Sequence, residues 1–262
     1  PDAIAEVAHA LGFGETFDIG IEGQKKGIVP SRAWKAEYFK NHPHPDMRKW
    51  WPGESPSYGI GQGALQVNAL QLAVYTARLA NGRTALNPRL IKSVGGVERP
   101  RGDRAPPLPF PREHLDRIRA GMAAVTDVGG TGYRNSQLGL GDVLMAGKTG
   151  TAQVRNYGSG SRKSNVWRLK DHGLFVAFAP LDAPRYAISV IVQHGEGGGK
   201  AAAPKAREIM KVALLKDPEI RARIERPPPS PVRANGTAPA AASPRSIGTS
   251  PCWSASSPGR AG

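Results

Sequence analysis

At 262 residues the chain can form one large domain or two small ones, and its 39% hydrophobic content, diluted by 32 glycines, still allows a sizeable core. The formal net charge of +15 favours polyanionic partners in general, yet no zinc-finger spacing, ribonucleoprotein-type strand or recognition-helix pattern accompanies it, so no nucleic-acid partner is expected. No apolar run approaches the ~18 residues of a membrane span, and a single cysteine, Cys252, excludes an internal disulfide and a cysteine-rich metal site.

Residues 2–11 read as a short amphipathic helix: Ile4, Val7, Ala8 and Leu11 fall at helical spacing, and Gly12 and Gly14 stop it. A Gly-rich connector runs to Pro30, and Ser31 can cap a second short helix over 32–39. Residues 40–58 read as an irregular surface stretch packed down by Trp50 and Trp51. His42, His44 and Asp46 lie close together there. Pro43 and Pro45 hold them extended, no fourth ligand is near, and no metal is expected. GIGQG at 59–63 is a backbone-permissive turn. No hydrophobic strand precedes it, which excludes a dinucleotide or P-loop reading.

The spacing predicts a core helix over 69–81, capped by Asn68 and stopped by Gly82. Leu70, Ala73, Val74 and Ala77 form its apolar stripe, widened by Leu72 and Leu79. Residues 86–94 are a candidate strand, and 97–111 an Arg/Pro-rich loop. A helix is predicted over 112–127, lined by Leu115, Ile118, Met122 and Val125 and ended by Gly129-Gly130-Thr131-Gly132. A strand lies within 141–154. After a basic loop at 155–170, residues 172–179 and 186–193 are predicted to pair as a hairpin. Their near-continuous apolar content implies a sheet covered on both faces. A closing helix over 201–215 has Ala206, Ile209, Met210, Val212 and Ala213 available to pack on that sheet, and 217–225 can add a turn or two. The Pro/Ala/Ser-rich stretch 226–262 has no acidic residue and few large apolar ones, and is expected to be disordered.

Residues 144–154, LMAGKTGTAQV, are the stretch most suited to chemistry. On a strand Lys148 and Gly150 share one face, Thr149 and Thr151 the other. A glycine within a strand marks a bulge or the close approach of another backbone, and Lys148 is a point charge with three donors. Two readings of the stretch stand: a strand edge that receives an anionic, peptide-like ligand, or an exposed edge strand guarded by a lysine.

Several segments together carry a family resemblance. GIGQG at 59–63 leads into NALQLAVYTARLANG. GMAAVTDVGGTGY spans 121–133, AGKTGTAQV 146–154 and DHGLFVAFAP 171–180, and a Gly-rich turn precedes KAAAPKAREIM. With the Lys-Thr-Gly signature, these make the chain resemble the transpeptidase domain of class B penicillin-binding proteins, in particular the elongation-type penicillin-binding protein 2. The resemblance covers roughly residues 1–215, which it makes the C-terminal part of a transpeptidase domain. Residues 216–225 are then a short helical extension and 226–262 the tail. It implies an α+β fold (an α/β sandwich): an antiparallel sheet flanked by helices, serine β-lactamase/transpeptidase-like, incomplete at the N-terminus.

The resemblance further implies peptidoglycan D,D-transpeptidase chemistry through a serine acyl-enzyme, without a cofactor. Lys148 and Thr151 are the implied catalytic residues, Thr151 through its backbone N–H as an oxyanion donor. Thr149, Gly150 and Thr151 are the implied substrate-binding residues, with Gly130, Thr131, Tyr133 and Gln153 as neighbours. The implied ligands are D-Ala-D-Ala stem peptides and β-lactams. The implied partners are a glycosyltransferase and an elongation complex, at the periplasmic face of the bacterial inner membrane. The family's Ser-x-x-Lys and Ser-x-Asn motifs do not occur in this sequence. In the family they precede the segment that begins here, so the chain reads as a fragment, inactive on its own. Two other classes remain: a D-Ala-D-Ala carboxypeptidase or serine β-lactamase relative, and a non-catalytic basic binding module.

Overall fold

The computed structural model describes residues 1–98, 105–154 and 166–226. In chain order the elements are α1 (Asp2–Ala10), α2 (Arg32–Tyr38), α3 (Glu54–Gly59), α4 (Ala69–Asn81), β1 (Ser93–Val94), β2 (Val97–Glu98), α5 (Arg112–Thr126), α6 (Tyr133–Ser136), β3 (Ala146–Ala152), β4 (His172–Ala179), β5 (Tyr186–Val192), α7 (Gly198–Ala201), α8 (Ala203–Lys216) and α9 (Pro218–Ile224). The tail read as disordered, most of the basic loop and part of the Arg/Pro-rich loop lie outside the described residues. Among the described residues no helix is long and apolar enough to cross a membrane.

The central sheet is antiparallel with strand order β3-β4-β5. Side chains of β4 alternate between two cores, as period two requires. Phe175, Ala177 and Ala179 pack with Ala203, Ala206, Met210 and Leu214 of α8 and Ile220 of α9. Val176 and Phe178 pack on the other side with Leu79 and Ala80 of α4 and Leu115 and Met122 of α5. Both faces of β4 are therefore covered, which explains its apolar run, while β5 is half-buried with Ile191 exposed.

α4 owes its position to two buried polar side chains. Asn68 Oδ1 accepts the Gln71 backbone N–H at 2.9 Å, and Gln71 Oε1 accepts the Asn68 N–H at 3.2 Å, a reciprocal cap. The buried Gln71 amide also donates to the carbonyls of Glu15 and Lys26, 2.8 Å each, which stitches the N-terminal connector onto the helix. Arg78 is buried as well. It donates to Ala10 O at 3.0 Å, Leu86 O at 3.1 Å and Asn87 Oδ1 at 3.0 Å, so one guanidinium satisfies carbonyls that end α1 and the segment after α4.

Three expectations change. Residues 86–94 do not form a strand of their own. Only Ser93–Val94 pairs, with Val97–Glu98; Pro88 offers no N–H, and the Leu86 carbonyl is taken by Arg78. The stretch 40–58 is not wholly irregular: it holds a 3₁₀ turn, Pro45–Arg48, and α3. Ile118 on α5 and Ile209 and Val212 on α8 point to solvent. On α8 the buried row is Ala203, Ala206, Met210 and Leu214, one helical face whose alanines let the helix lie close to the sheet. The extension read as a turn or two is α9, seven residues long. Its cap, Asp217, accepts from the Glu219 and Ile220 N–H groups at 3.0 and 3.3 Å and from the Tyr186 hydroxyl at 2.9 Å. Burial raises the Asp217 carboxyl, but the Tyr186 and backbone hydrogen bonds and Arg185 outweigh it and hold the group below its ordinary value.

Candidate active site

β3 pairs with β4 along one side, and among the described residues no strand covers its other edge. Thr149 lies opposite Phe175 and Thr151 opposite Gly173, on the face toward α7 and α8; Lys148 lies opposite Val176, toward α4 and α5. The free edge is visible in its hydrogen bonds. Lys148 Nζ donates to Thr149 O at 2.9 Å, and Gln62 Nε2 donates to Thr151 O at 2.8 Å. In an antiparallel strand the N–H and C=O of one residue point the same way. The Thr149 and Thr151 amides therefore also face outward.

Two glycine-rich segments close on this strand. The Thr131 and Thr149 hydroxyls lie 3.1 Å apart. Asn135 Nδ2 donates to Gly199 O at 2.9 Å, which ties α6 to the start of α7. The approach leaves no room for side chains. A Cβ on Gly198 would sit 1.9 Å from Leu174 O and 2.5 Å from Gly150 O. One on Gly199 would sit 2.8 Å from Thr131 O, and one on Gly130 would sit 2.2 Å from Val125 O in the last turn of α5. Thr126 Oγ1 donates to Met145 O at 2.6 Å, fixing the end of α5 to the entry of β3.

Of the residues singled out from sequence, Lys148, Thr149, Gly150, Thr151 and Thr131 come together on this edge. Gly130 serves the packing of the loop that presents Thr131. Tyr133 is half-buried at the start of α6, and Gln153 is exposed one residue beyond β3. Gln62, Asn135 and Gly197–Gly199 were not anticipated. GIGQG reads from sequence as a turn and as part of the family resemblance; that its glutamine reaches β3, 89 residues on, depends on tertiary contact.

Gln62 also stands at the wall of a cavity of about 490 Å³ formed by α2, α3 and the residues around them. Lys35, 5% exposed, is held there by both Glu54 carboxylate oxygens at 2.5 and 2.6 Å and lies 5.8 Å from the Trp50 ring centroid. Burial raises the Glu54 carboxyl; hydrogen bonds from Lys35 and the Trp51 N–H, with the Lys35 charge, outweigh it and hold the group below its ordinary value.

Helix layers over both faces of a small antiparallel sheet, with a Lys-Thr-Gly-Thr strand along its open edge, define an α+β domain of the transpeptidase type. A family model described as penicillin binding protein transpeptidase domain matches residues 1–211, and the chain belongs to that family. It is 34% identical over 209 residues to the peptidoglycan D,D-transpeptidase MrdA of Acinetobacter baumannii, covering 77% of this chain and 29% of that one. To MrdA of Haemophilus influenzae it is 33% identical over 225 residues, covering 81% and 33%. The crystal structure of Pseudomonas aeruginosa PBP2 in complex with WCK 5153 matches with a TM-score of 0.67 at 34% identity, over 82% of this chain and 43% of that one. PBP2 in a complex with MreC from Helicobacter pylori matches with a TM-score of 0.62 at 28% identity, over 81% and 36%. The chain spans about a third of the length of the two curated relatives named.

Proposed function

We propose that the open edge of β3 is the substrate-binding wall of a peptidoglycan D,D-transpeptidase. The outward-facing Thr149 and Thr151 amides beside the Thr131 hydroxyl carry this reading. A stem peptide ending in D-Ala-D-Ala adds to the edge as a further strand. Thr149 and Thr151 hold its terminal carboxylate, and Gly150 lets its backbone come close. Lys148 supplies positive charge beside the reacting hydroxyls, and the Thr151 N–H donates to the developing oxyanion. Gly130, Thr131, Tyr133 and Gln153 border the same site. The serine that attacks, and becomes the ester, comes from a Ser-x-x-Lys segment absent from this sequence. No cofactor takes part. The setting is the periplasmic face of the bacterial inner membrane, with a glycosyltransferase and other elongation-complex proteins as partners; the structural likeness to a PBP2 crystallised with MreC supports that placement. Residues 1–215 form the C-terminal part of the domain, 216–225 its helical extension and 226–262 a disordered tail.

In a protein that carries this segment together with a Ser-x-x-Lys motif, a labelled penicillin attaches covalently. Lys148→Ala slows the labelling by roughly 10²-fold or more; an unchanged rate overturns the reading. The 262-residue chain alone takes up no label.

A further inference from the structure

We propose that His172 is a positioning residue of the substrate edge, and that it holds the turn which sets residues 197–199 against β3 only while its ring is neutral. The inference rests on the edge reading above and deepens it by naming what controls that edge.

The turn after β5 is held against its own backbone preference. His194 and Glu196 have φ of 56° and 66°, in the left-handed region that side chains other than glycine seldom enter. Such a turn persists where the surrounding contacts over-determine it. Here they come from one short run, residues 170–172, which leads into β4. The His194 N–H donates to His172 Nδ1 at 2.9 Å, the Glu196 N–H to Asp171 O at 2.8 Å, and His194 Nδ1 to Lys170 O at 2.9 Å. Lys170 Nζ lies 3.5 Å from Glu196 Oε1.

These roles fix the protons. A carbonyl only accepts, so His194 Nδ1 carries a hydrogen. A backbone N–H only donates, so His172 Nδ1 is bare and its proton sits on Nε2. A second proton, taken from solvent by Nδ1, turns that acceptor into a donor and sets N–H against N–H. The titratable and charged groups on the segments packed around the ring are His194, 4.7 Å away between centroids, Lys170 and Asp171, Glu196 in the turn, Arg168 in the 3₁₀ turn Trp167–Leu169 and Lys200 on α7. Ala152, opposite on β3, brings none. Whatever charge these groups carry, the His194 N–H loses its acceptor.

The turn has no slack toward the site. A Cβ on Gly173 would lie 3.1 Å from the Gly197 carbonyl, so β4 runs directly against the turn. Gly198 touches the Gly150 backbone, and Gly199 O accepts from Asn135 of α6, the helix that follows the Thr131 loop. When the turn relaxes these contacts loosen together, and Thr131 leaves Thr149.

The rate at which labelled penicillin attaches to the Ser-x-x-Lys-bearing protein, followed from about pH 8 down to about pH 5, tests this. His172→Ala removes the acceptor at every pH and is expected to slow attachment roughly fivefold or more. Asparagine places an oxygen where Nδ1 stood, accepts the same N–H and takes no proton. His172→Asn is therefore expected to recover at least about half of that loss and to flatten the fall in rate toward acid. A purely structural His172 would give the recovery without the change in pH profile. An Asn variant as slow as the Ala variant, or one that falls toward acid as steeply as the unsubstituted protein, overturns the proposal, as does an Ala variant of undiminished rate. In the 262-residue chain, imidazole nitrogen NMR at neutral pH is expected to show a bare Nδ1 on His172, and a proton there overturns the proposal as well. Lys148→Ala without effect on labelling overturns the edge reading and the proposal with it. When Lys148→Ala slows labelling but His172→Asn keeps the original pH profile, the positioning proposal alone falls.

Discussion

The sheet with its two helix layers and the segment around α2 and α3 hold together by different means. In the sheet, Phe175, Phe178, Met210 and Leu214 are almost fully enclosed, and the ladder fixes each strand residue to a partner. Around α2 and α3 the main ties are a charge pair, a ring stack and the Ser31 cap, which accepts the Trp34 N–H at 3.0 Å. Dense packing holds atoms to within tenths of an ångström. A charge pair with one exposed partner tolerates adjustment. Lys148 and Thr151, the residues proposed above to serve the reaction, sit on the first kind of scaffold. The cavity lined by Trp34 and Trp50 sits on the second.

The contrast can be broken most forcefully from the sheet. Phe178→Ala removes a ring enclosed by α4 and α5 and is expected to cost about 3–5 kcal/mol in urea unfolding; a cost under 1 kcal/mol would show that the sheet is no more tightly built than its neighbour. Gly130→Ala forces a Cβ onto the Val125 carbonyl and is expected to cost roughly 2 kcal/mol. It also moves Thr131 away from Thr149, so penicillin labelling in the Ser-x-x-Lys-bearing protein falls as well. On the other side, Glu54→Gln leaves Lys35 buried with a weaker partner. Because Glu54 is 40% exposed, solvent screening limits the expected cost to roughly 1–2 kcal/mol.

The same pair has a pH signature. The Glu54 carboxyl is held below its unfolded value once the Lys35 and Trp51 bonds have offset burial. Its contribution is therefore fully present above the unfolded carboxylate value and lost as pH falls through the lower folded one. Acid should change the fluorescence of Trp50 beside Lys35 before the sheet unfolds, and Glu54→Gln should abolish that early phase in a fluorescence titration. The smallest effect is expected on the solvent face of α5. There the exposed Arg117–Glu113 pair contributes about 0.3–0.5 kcal/mol, so Glu113→Ala should barely shift the thermal midpoint.

Local chemistry was sufficient to read the helices and strands that carry their own signals. Asn68 and Gly82 bound α4 because capping is decided within one turn. His172–Ala179 stands out because a strand covered on both faces must be apolar throughout, and Tyr186–Val192 because its apolar run follows a two-proline turn. The Lys148-Thr149-Gly150-Thr151 run and the Gly129–Thr131 loop took on meaning only through the family resemblance, because local chemistry alone left the strand readable equally as a guarded edge. What the tertiary structure alone decided is which of these meet. Thr131 reaches Thr149 because Gly130 and Gly199 leave room for two backbones, and Gln62 reaches Thr151 across 89 residues. Pairings of that kind follow from packing summed over the whole domain, and no local pattern encodes them. The fate of Ile209 and Val212 shows the same limit: helical spacing marks which residues share a face, but only the placement of α8 against the sheet determines which face is buried.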